Sequence, residues 1–272
     1  MALSMLTIAS SSSGNCLLVR NDSVILLIDM GISLSHLKFA LNHYKINIDE
    51  IDGVIITHEH NDHVAGLKTL VDKHHIPVYA HNKTLSCLNK RYKLGDIKHY
   101  EIDEAGFSVK SVDIQPFRTR HDAIYPLGYT FSDKSGKIGV STDLGCVTPG
   151  VINNLKGSAI VFIESNHDMK MLIKGDYPEY LKKRILSSEG HLSNESCAET
   201  VLRLFISGTT SFVLGHLSEH NNTDRLAYAM TAEILFNNGI QTGKDVYLDI
   251  AGKNMRYNSY TVNCPVKSYN AL

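Results

Sequence analysis

The chain has 272 residues, of which 43% are hydrophobic and 20% charged, and its formal net charge is −1. This composition is typical of a globular protein with a large buried core, and the near-neutral balance excludes polyanion binding through overall charge. No apolar run reaches the roughly 20 residues of a membrane-spanning helix, so we expect no membrane partner.

The chain also lacks the features of an exported protein. No basic residue precedes Arg20, whereas a secretory signal begins with a charged segment. The cysteines are odd in number and form no CxxC pair, which favours free thiols in a reducing compartment. They are Cys16, Cys87, Cys146, Cys197 and Cys264. We therefore expect a cytoplasmic location.

Strands are predicted along the whole chain, where β-branched and apolar runs are flanked by Gly, Asp or Asn. The first three form an early meander, in which Ser10–Ser13 is a predicted loop turned by Gly14 and Asn15. The predicted strands are Leu3–Ile8, Asn15–Arg20, Val24–Asp29, Gly53–Thr57, Val78–Ala80, Phe107–Phe117, Gly128–Ser132, Lys137–Thr142, Ala159–Glu164, Ser211–Leu214 and Val246–Ile250.

Predicted helices alternate with these strands, and Ser193–Ile206 has the i, i+3, i+4, i+7 apolar spacing of one buried face. Asp176 and Glu179 stand where side chains cap a helix start. The predicted helices are Ser33–His43, Val64–Lys73, Pro178–Ser187, Ser193–Ile206 and Asp224–Asn237. The mixture, without a linker, predicts an α/β layered fold in one domain over residues 1–272.

The segment Thr57–His63, THEHNDH, places four metal-ligating side chains between a predicted strand and a predicted helix. His58 and His60 can point to the same side of an extended loop and bind one ion together. Asp62 and His63, at the helix start, can face a second ion. Imidazole with carboxylate suits Zn, Mn or Fe rather than Ca or Mg.

Three further residues of ligand type follow predicted strands: His121 in RTRHDA, Asp143 in STDLG and His216 in LGHLSEHNN. One sheet edge can gather such residues. Each has a structural alternative when taken alone, since Asp is common after strands and His is common at surfaces. The complete set in this order favours a metal site over a solvated, His-rich loop.

This series resembles the motifs of the metallo-β-lactamase fold superfamily, and Asp29 in LLIDMG matches the early Asp that helps to hold the site. The resemblance implies a four-layer αβ/βα sandwich with two divalent metal ions at the shared edge of two sheets. The implied ligands are His58, His60 and His121 for the first ion, Asp62, His63 and His216 for the second, and Asp143 for both.

Further stretches narrow the resemblance to the YycJ/WalJ family, bacterial proteins of this fold with 5′-to-3′ DNA exonuclease assignments. They are ASSSSGNC (Ala9–Cys16), IESNHD (Ile163–Asp168), YPEYLKKRIL (Tyr177–Leu186), GHLSN (Gly190–Asn194) and GHLSEHNN (Gly215–Asn222). This resemblance implies a metal-dependent hydrolase that cleaves phosphodiester bonds of DNA with a hydroxide bound between two metal ions.

The segment Met169–Leu186 has a net charge of +3 and includes Arg184. It could dock a phosphate backbone beside the metals, although a solvated helix face would have the same composition. His167 and Asn194 are further expected substrate contacts. Ser11–Gly14 could form a backbone cradle for an anion.

His191 in GHLSN is the expected proton donor to the leaving oxygen, because the metal-ligand pattern is complete without it. Related phosphodiesterases of the fold use a His from this region in the same way. Asp62 or Glu164 would orient the ring, and the residues leave that choice open. The alternative for His191 is a structural role at the start of a helix.

Two other functions remain open from the residues. The first is a small-molecule hydrolase acting on a cyclic phosphodiester, a thioester or a lactone, which the non-basic overall charge permits. The second is a metal-stabilised regulatory or binding protein without turnover. The complete ligand set argues against this second function, because nothing needed to activate water is missing.

Overall fold

A computed structural model describes residues 1–94, 98–251 and 257–263 of the chain. The strands are β1 (Ser4–Ser11), β2 (Gly14–Arg20), β3 (Ile25–Ile28), β4 (Gly53–Ile55), β5 (Val78–His81), β6 (His99–Ile102), β7 (Phe107–Val109), β8 (Val112–Arg118), β9 (Leu127–Asp133), β10 (Gly136–Ser141), β11 (Ile160–Glu164), β12 (Ser211–Gly215), β13 (Tyr247–Ile250) and β14 (Asn258–Thr261). The α-helices are α1 (Leu34–His43), α2 (Asn61–Val64), α3 (Leu67–His74), α4 (Asn82–Tyr92), α5 (Pro149–Leu155), α6 (Met169–Lys174), α7 (Glu179–Ile185), α8 (Asn194–Ile206) and α9 (Asp224–Asn237).

The described strands form two sheets. The order is β14-β1-β2-β3-β4-β5-β6 in the first sheet and β13-β12-β11-β10-β9-β8-β7 in the second. The run β3 to β6 is parallel in the first sheet, and the run β10 to β13 is parallel in the second. Parallel strands end at the same edge, so the loops after β4, β10 and β12 can meet there.

Three apolar cores separate four layers. Along β2, Leu17 and Val19 face the second sheet, while Cys16 and Leu18 face the helices, as expected from the period of two along a strand. The central core lies between the sheets. One outer core packs α1, α3 and α4 on the first sheet, and the other packs α5, α8 and α9 on the second. The predicted α/β four-layer sandwich is confirmed.

Two predicted elements are divided in the structure. Phe107–Phe117 is not one strand but the antiparallel hairpin β7–β8, because Lys110 takes a left-handed φ of 51° and turns the chain. The predicted helix Val64–Lys73 is interrupted at Gly66. A Cβ at Gly66 would lie 1.9 Å from the carbonyl oxygen of Ile32, so only glycine allows this backbone approach.

The predicted cap of Pro178–Ser187 is wrong. Helix α7 begins at Glu179 after Pro178, and no side chain caps its first turn. Asp168 instead caps the preceding helix α6 by accepting a hydrogen bond from Met171 N–H at 2.8 Å. The reason is local, because proline holds the extended φ of the cap position but offers no side-chain acceptor.

Helices α4, α5 and α6 and strands β6 and β14 are not predicted from the sequence. Most of these elements are short, although α4 has 11 residues. Cys16, Cys87, Cys146 and Cys197 are free thiols, while Cys264 lies outside the described residues. None of the helices in the described ranges combines the length and the apolarity needed to cross a membrane.

Candidate metal centre

The seven predicted ligands converge at one edge of the sandwich. The loop after β4 supplies His58 and His60, and the short helix α2 that follows it supplies Asp62 and His63. The loops after β8, β10 and β12 supply His121, Asp143 and His216. Their ligand atoms fall into overlapping groups in which all atoms lie within 4.8 Å of one another. The groups formed by these residues are His58, His60 and His121; His58, His63 and Asp143; and Asp62, His63 and His216.

The first group is built from three imidazoles. His60 Nδ1 lies 3.2 Å from His121 Nε2, and the rings of His58 and His60 are 4.6 Å apart. The Nδ1–H of His58 donates to the Thr57 hydroxyl at 2.9 Å, and that of His121 donates to the Gly190 carbonyl at 2.9 Å. These bonds turn the Nε2 atoms of His58 and His121 toward the cluster.

The Asp143 carboxylate joins this group to the second. Its Oδ2 lies 2.6 Å from His63 Nε2 and 3.5 Å from His58 Nε2, while its Oδ1 lies 3.2 Å from His216 Nε2. Asp62 Oδ2 approaches His63 Nε2 at 3.3 Å. Oδ2 of Asp143 therefore lies between an imidazole of the first group and one of the second, so this carboxylate can contact both groups.

Asp29 supports the second group by contacting the side of the His63 ring that points away from the cluster. Its Oδ2 lies 2.7 Å from His63 Nδ1, and its carboxylate accepts two hydrogen bonds from Thr57, one from the backbone N–H and one from the hydroxyl, both at 2.8 Å. Thr142 plays the same part for His216, with 3.0 Å between its hydroxyl and Nδ1. The predicted supporting position of Asp29 is where the structure places it.

Three residues of this centre have left-handed backbone conformations. The φ angles are 62° at Asp29, 50° at Asp143 and 53° at His216. This region costs an L-residue roughly 1–2 kcal/mol, and such strain is concentrated at functional sites. Each residue directly follows a strand or lies two residues beyond one, so the turn directs its side chain toward the shared edge.

Three buried ligand atoms lack a hydrogen-bond partner in the described residues: His58 Nε2 and both carboxylate oxygens of Asp143. A buried polar atom left unpaired costs about 1–3 kcal/mol. All three are acceptors directed at one space, so a cation is the partner that satisfies them together. The residues present therefore fit a divalent metal, in agreement with the imidazole and carboxylate donors.

The pKa shifts of the ligands also indicate that the cluster favours a positive charge. Burial lowers the pKa of His58 well below its usual value, and the neighbouring imidazole of His63 adds to this. Burial raises the pKa of Asp143, but His216 and His63 lower it well below its usual value. Burial lowers the pKa of His63, but Asp143 and Asp29 raise it well above its usual value. The carboxylates of Asp143 and Asp29 thus favour a positive charge on His63. A divalent cation in the cluster would supply positive charge in place of that proton.

His191 stands beside this cluster and is held by Glu164. The Nδ1–H of His191 donates to Glu164 Oε1 at 2.7 Å, and Oε2 accepts from the backbone N–H groups of Leu144 and Leu192 at 2.6 and 3.2 Å. Glu164 is fully buried. Burial lowers the pKa of His191, but Glu164 and then Asp143 raise it to about 10. Of the two carboxylates considered, Glu164 is the one that orients the ring.

The basic segment reaches the centre through Arg184. Arg184 Nη2 donates to Asp122 Oδ1 at 3.0 Å, its Nε also donates to this carboxylate, and Asp122 Oδ1 lies 3.3 Å from His121 Nε2. The hydrogen bond from Arg184 lowers the pKa of Asp122 against the effect of burial. Because 45% of the Arg184 side chain is exposed, the guanidinium can still meet an anion at the mouth of the site.

The other predicted substrate contacts lie deeper. His167 is 1% exposed, and burial lowers its pKa to about 4. Neither of its ring nitrogens has a hydrogen-bond partner in the part of the chain that the structure describes. Asn194 is fully buried. Its Oδ1 accepts from Ser165 Oγ at 2.7 Å, and its Nδ2 donates to Asn222 Oδ1 at 3.0 Å. The amide of Asn194 is thus bonded within the protein, and its contact with substrate stays a prediction.

The serine-rich segment is part of the β1–β2 hairpin. Strand β1 continues to Ser11 and β2 resumes at Gly14, so the turn is shorter than predicted. Ser10 Oγ accepts from His216 N–H at 2.7 Å, and Asn15 Nδ2 donates to Asp62 Oδ2 at 3.2 Å. The hairpin therefore braces two ligands, while its use as an anion cradle stays a prediction.

Sequence reasoning did not find the hydroxyls and the amide that support the ligands. Thr57 and Thr142 each stand directly before a ligand, His58 and Asp143, and this repeated position is a signal that the sequence contains. Asn15 belongs to the ASSSSGNC stretch, which was noted for its resemblance but not for a contact.

We expect Asp29→Asn to weaken metal binding about 10- to 100-fold, the usual effect of losing an outer partner of a metal-ligating histidine. Asparagine tolerates the left-handed φ at this position, so the fold should persist while the charge that fixes His63 is lost. A competition titration against a chelator measures the affinity. Asp72→Asn, which changes an exposed carboxylate paired with Lys68, is the matched control. Equal affinities in both variants would contradict the supporting role.

Comparisons with known proteins agree with this geometry. A family model described as "Beta-lactamase superfamily domain" matches residues 25–216. The chain is 32% identical to "Exodeoxyribonuclease YycJ" of Bacillus anthracis, covering 90% of this chain and 93% of that protein. It is 35% identical to "Exodeoxyribonuclease WalJ" of Streptococcus pneumoniae serotype 2, covering 88% and 90%. The solved structure of the metallo-β-lactamase fold protein YhfI from Bacillus subtilis matches with a TM-score of 0.72 at 15% identity, covering 96% of this chain and all of that one.

Proposed function

This chain belongs to the β-lactamase superfamily and, within it, to the family of the YycJ and WalJ exodeoxyribonucleases, and from that membership we propose that it is a metal-dependent exodeoxyribonuclease. The observation that carries the proposal is the Asp143 carboxylate. It faces imidazoles on both sides, its oxygens have no hydrogen-bond partner among the described residues, and its Oδ1 lies 3.3 Å from Nδ1 of His191. A metal-binding cluster thus adjoins a group that can transfer a proton.

The centre is proposed to hold two divalent ions, which can be Zn, Mn or Fe. His58, His60 and His121 would hold one ion, Asp62, His63 and His216 the other, and Asp143 both. Divalent ions bound in this way lower the pKa of water toward neutrality and neutralise charge on a scissile phosphate. Five of the seven ligands are buried and two, His60 and Asp62, are partly exposed, so most of the ligands are kept in place by surrounding protein groups.

His191 is the proposed proton donor. In hydrolysis, a bond forms between the water oxygen and phosphorus, the P–O3′ bond breaks, and O3′ needs the proton. Because Nδ1–H is bonded to Glu164, Nε2–H of the protonated ring is left for the leaving oxygen. Glu164 is the proposed positioning residue because it accepts this hydrogen bond, and Asp62 is proposed to act as a metal ligand.

DNA is the proposed substrate, and the direction of attack is 5′ to 3′. Arg184 supports this because its exposed guanidinium lies beside Asp122 and His121 at the edge of the centre. Arginine is well suited to phosphate because its planar fork donates two parallel hydrogen bonds. A cytoplasmic location and a single domain over residues 1–272 complete the proposal.

A substrate panel tests the reaction. The metal-loaded protein is incubated with end-labelled single-stranded and duplex DNA, and separately with bis(p-nitrophenyl) phosphate, a thioester and a lactone. We expect DNA to be shortened from one end with release of mononucleotides. Hydrolysis of a small molecule alone, with both DNA forms intact, would favour the small-molecule hydrolase and refute the exonuclease.

Arg184→Ala should raise KM for DNA several-fold with a smaller effect on kcat, because a phosphate contact contributes to binding. The slope of log KM against log salt concentration should decrease in magnitude by about one. Arg203→Ala, which removes an exposed arginine from the last turn of α8, is the matched control. An unchanged KM and salt slope in Arg184→Ala would exclude this arginine from DNA binding.

A further inference from the structure

A pocket opens beside the proposed proton donor His191. We call it the His167 pocket. It has a volume of about 430 Å³ and includes His167, Met169, Leu186, His191, Ser193 and Glu195 in its lining. Ligand pockets in proteins are usually about 300–1,000 Å³, so this one is near the small end of the range, where a single nucleoside fits better than an oligonucleotide.

Two polar side chains of the His167 pocket, His167 and Glu195, have buried atoms without partners among the described residues. Nδ1 and Nε2 of His167 and Oε2 of Glu195 are buried atoms without a hydrogen bond in the described part of the chain. His167 is almost completely buried, so bulk solvent has little access to its ring. Because unpaired buried polar groups are costly, two such side chains beside one pocket make it a candidate site for a ligand that bonds to them.

The chemistry of the lining selects a neutral, partly apolar ligand. The carboxylate of Glu195 repels a phosphate but accepts hydrogen bonds from hydroxyl, amino or imino groups. Met169 and Leu186 offer apolar surface for the face of a base, and 44% of Leu186 is exposed at the opening. A nucleoside has both kinds of surface, whereas the phosphates of a DNA backbone have neither.

The position of His191 indicates which nucleoside of the DNA strand would lie in the pocket. His191 lines the pocket and is also the group proposed to protonate O3′ when the P–O3′ bond breaks. In digestion from the 5′ end, that oxygen belongs to the terminal nucleotide, which leaves. The phosphate stays as the 5′-phosphate of the shortened strand.

We infer that the His167 pocket binds the base and sugar of the 5′-terminal nucleotide while its O3′ is released. This inference rests on the proposed exonuclease function and adds a subsite to it. His167 and Glu195 bond to the polar edge of that nucleoside, and Met169 and Leu186 pack against its apolar face. The pocket thereby places the terminal O3′ at His191, which favours cleavage one nucleotide from the end.

The test compares two DNA strands that differ only at the 5′-terminal residue, which is either a normal nucleotide or an abasic analogue. Steady-state kinetics are measured for the wild-type enzyme, for Glu195→Ala and for the control Glu199→Ala. Glu199 is exposed one turn further along α8 and does not line the pocket. His167→Gln is a second pocket variant, and thermal unfolding establishes that each protein is folded.

For the wild-type enzyme and Glu199→Ala, we expect the abasic end to lower kcat/KM about 10-fold, the effect of losing one or two hydrogen bonds and the packing of a base. Glu195→Ala should lose a similar factor on the normal strand but little more on the abasic strand. An equal abasic effect in all variants, or none in the wild type, would overturn the pocket while leaving the exonuclease intact. Failure of the wild-type enzyme to cut either strand would refute the exonuclease and the pocket together.

Discussion

Asp143→Asn is expected to lose bound metal and to lower kcat on DNA roughly 1,000-fold or more, because metal activation of water and charge neutralisation together contribute several kcal/mol. The substitution keeps the size of the side chain, and asparagine tolerates the left-handed φ of 50°. It removes the charge that faces His63 and His216 at once. Metal analysis after gel filtration, together with DNA digestion, measures both effects.

The control for this variant is Asp72→Asn, which removes the same charge from an exposed helical position. It should retain wild-type metal content and activity. If Asp143→Asn also retained two ions and normal turnover, the carboxylate would not bridge the metals. A variant that lost one ion but kept full activity would restrict the chemistry to the other ion.

His191→Ala is expected to keep its metal and to lose about 100- to 10,000-fold in kcat on DNA, the usual contribution of a positioned proton donor. The expectation follows from the bond to Glu164, which directs the ring but leaves Nε2 free. On bis(p-nitrophenyl) phosphate the loss should be far smaller, since p-nitrophenolate leaves without a proton. The ratio of the two losses is the informative readout.

The alternative for this residue is metal ligation, because His191 also lies in a group of ligand atoms with Asp143, Glu164 and His216. A ligand would lose metal when replaced and would lose activity equally on both substrates. Either result would contradict the proton-donor role. Glu164→Gln should reproduce a part of the loss on DNA, because an amide oxygen accepts from Nδ1–H but cannot stabilise the charged ring as well.

The central motif of the site could be predicted from the sequence because all of its ligand-type residues lie within the segment Thr57–His63. One apolar strand is followed within a few residues by four side chains of ligand type: His58, His60, Asp62 and His63. Because they are so close in sequence, they lie at the same edge of the sheet. The later ligands His121, Asp143 and His216 are predicted from their positions after strands, and the resemblance implied how the ligands divide between two ions. The family and the four-layer fold that the resemblance implied are confirmed. The ligand positions could be predicted because each lies in a segment that follows a strand, and the apolar pattern already indicates those strands. Their binding of metal stays a prediction.

The supporting contacts were not predictable in the same way. Glu164 and His191 are 27 residues apart, and only the fold brings the carboxylate under the ring. The choice between Asp62 and Glu164 therefore remained open from sequence. Short elements were also not predicted from the sequence. A helix such as α6 has six residues, which make too few turns to show an apolar period.

The most direct measurement of the central claim is a metal titration of chelator-stripped protein, with ions counted per chain and nucleotide release from 5′-labelled DNA followed in the same samples. We expect no release without metal and activity that rises until two ions are bound per chain, with mononucleotides as the first products. Full activity of the stripped protein, or saturation with two ions without any DNA cleavage, would contradict the account.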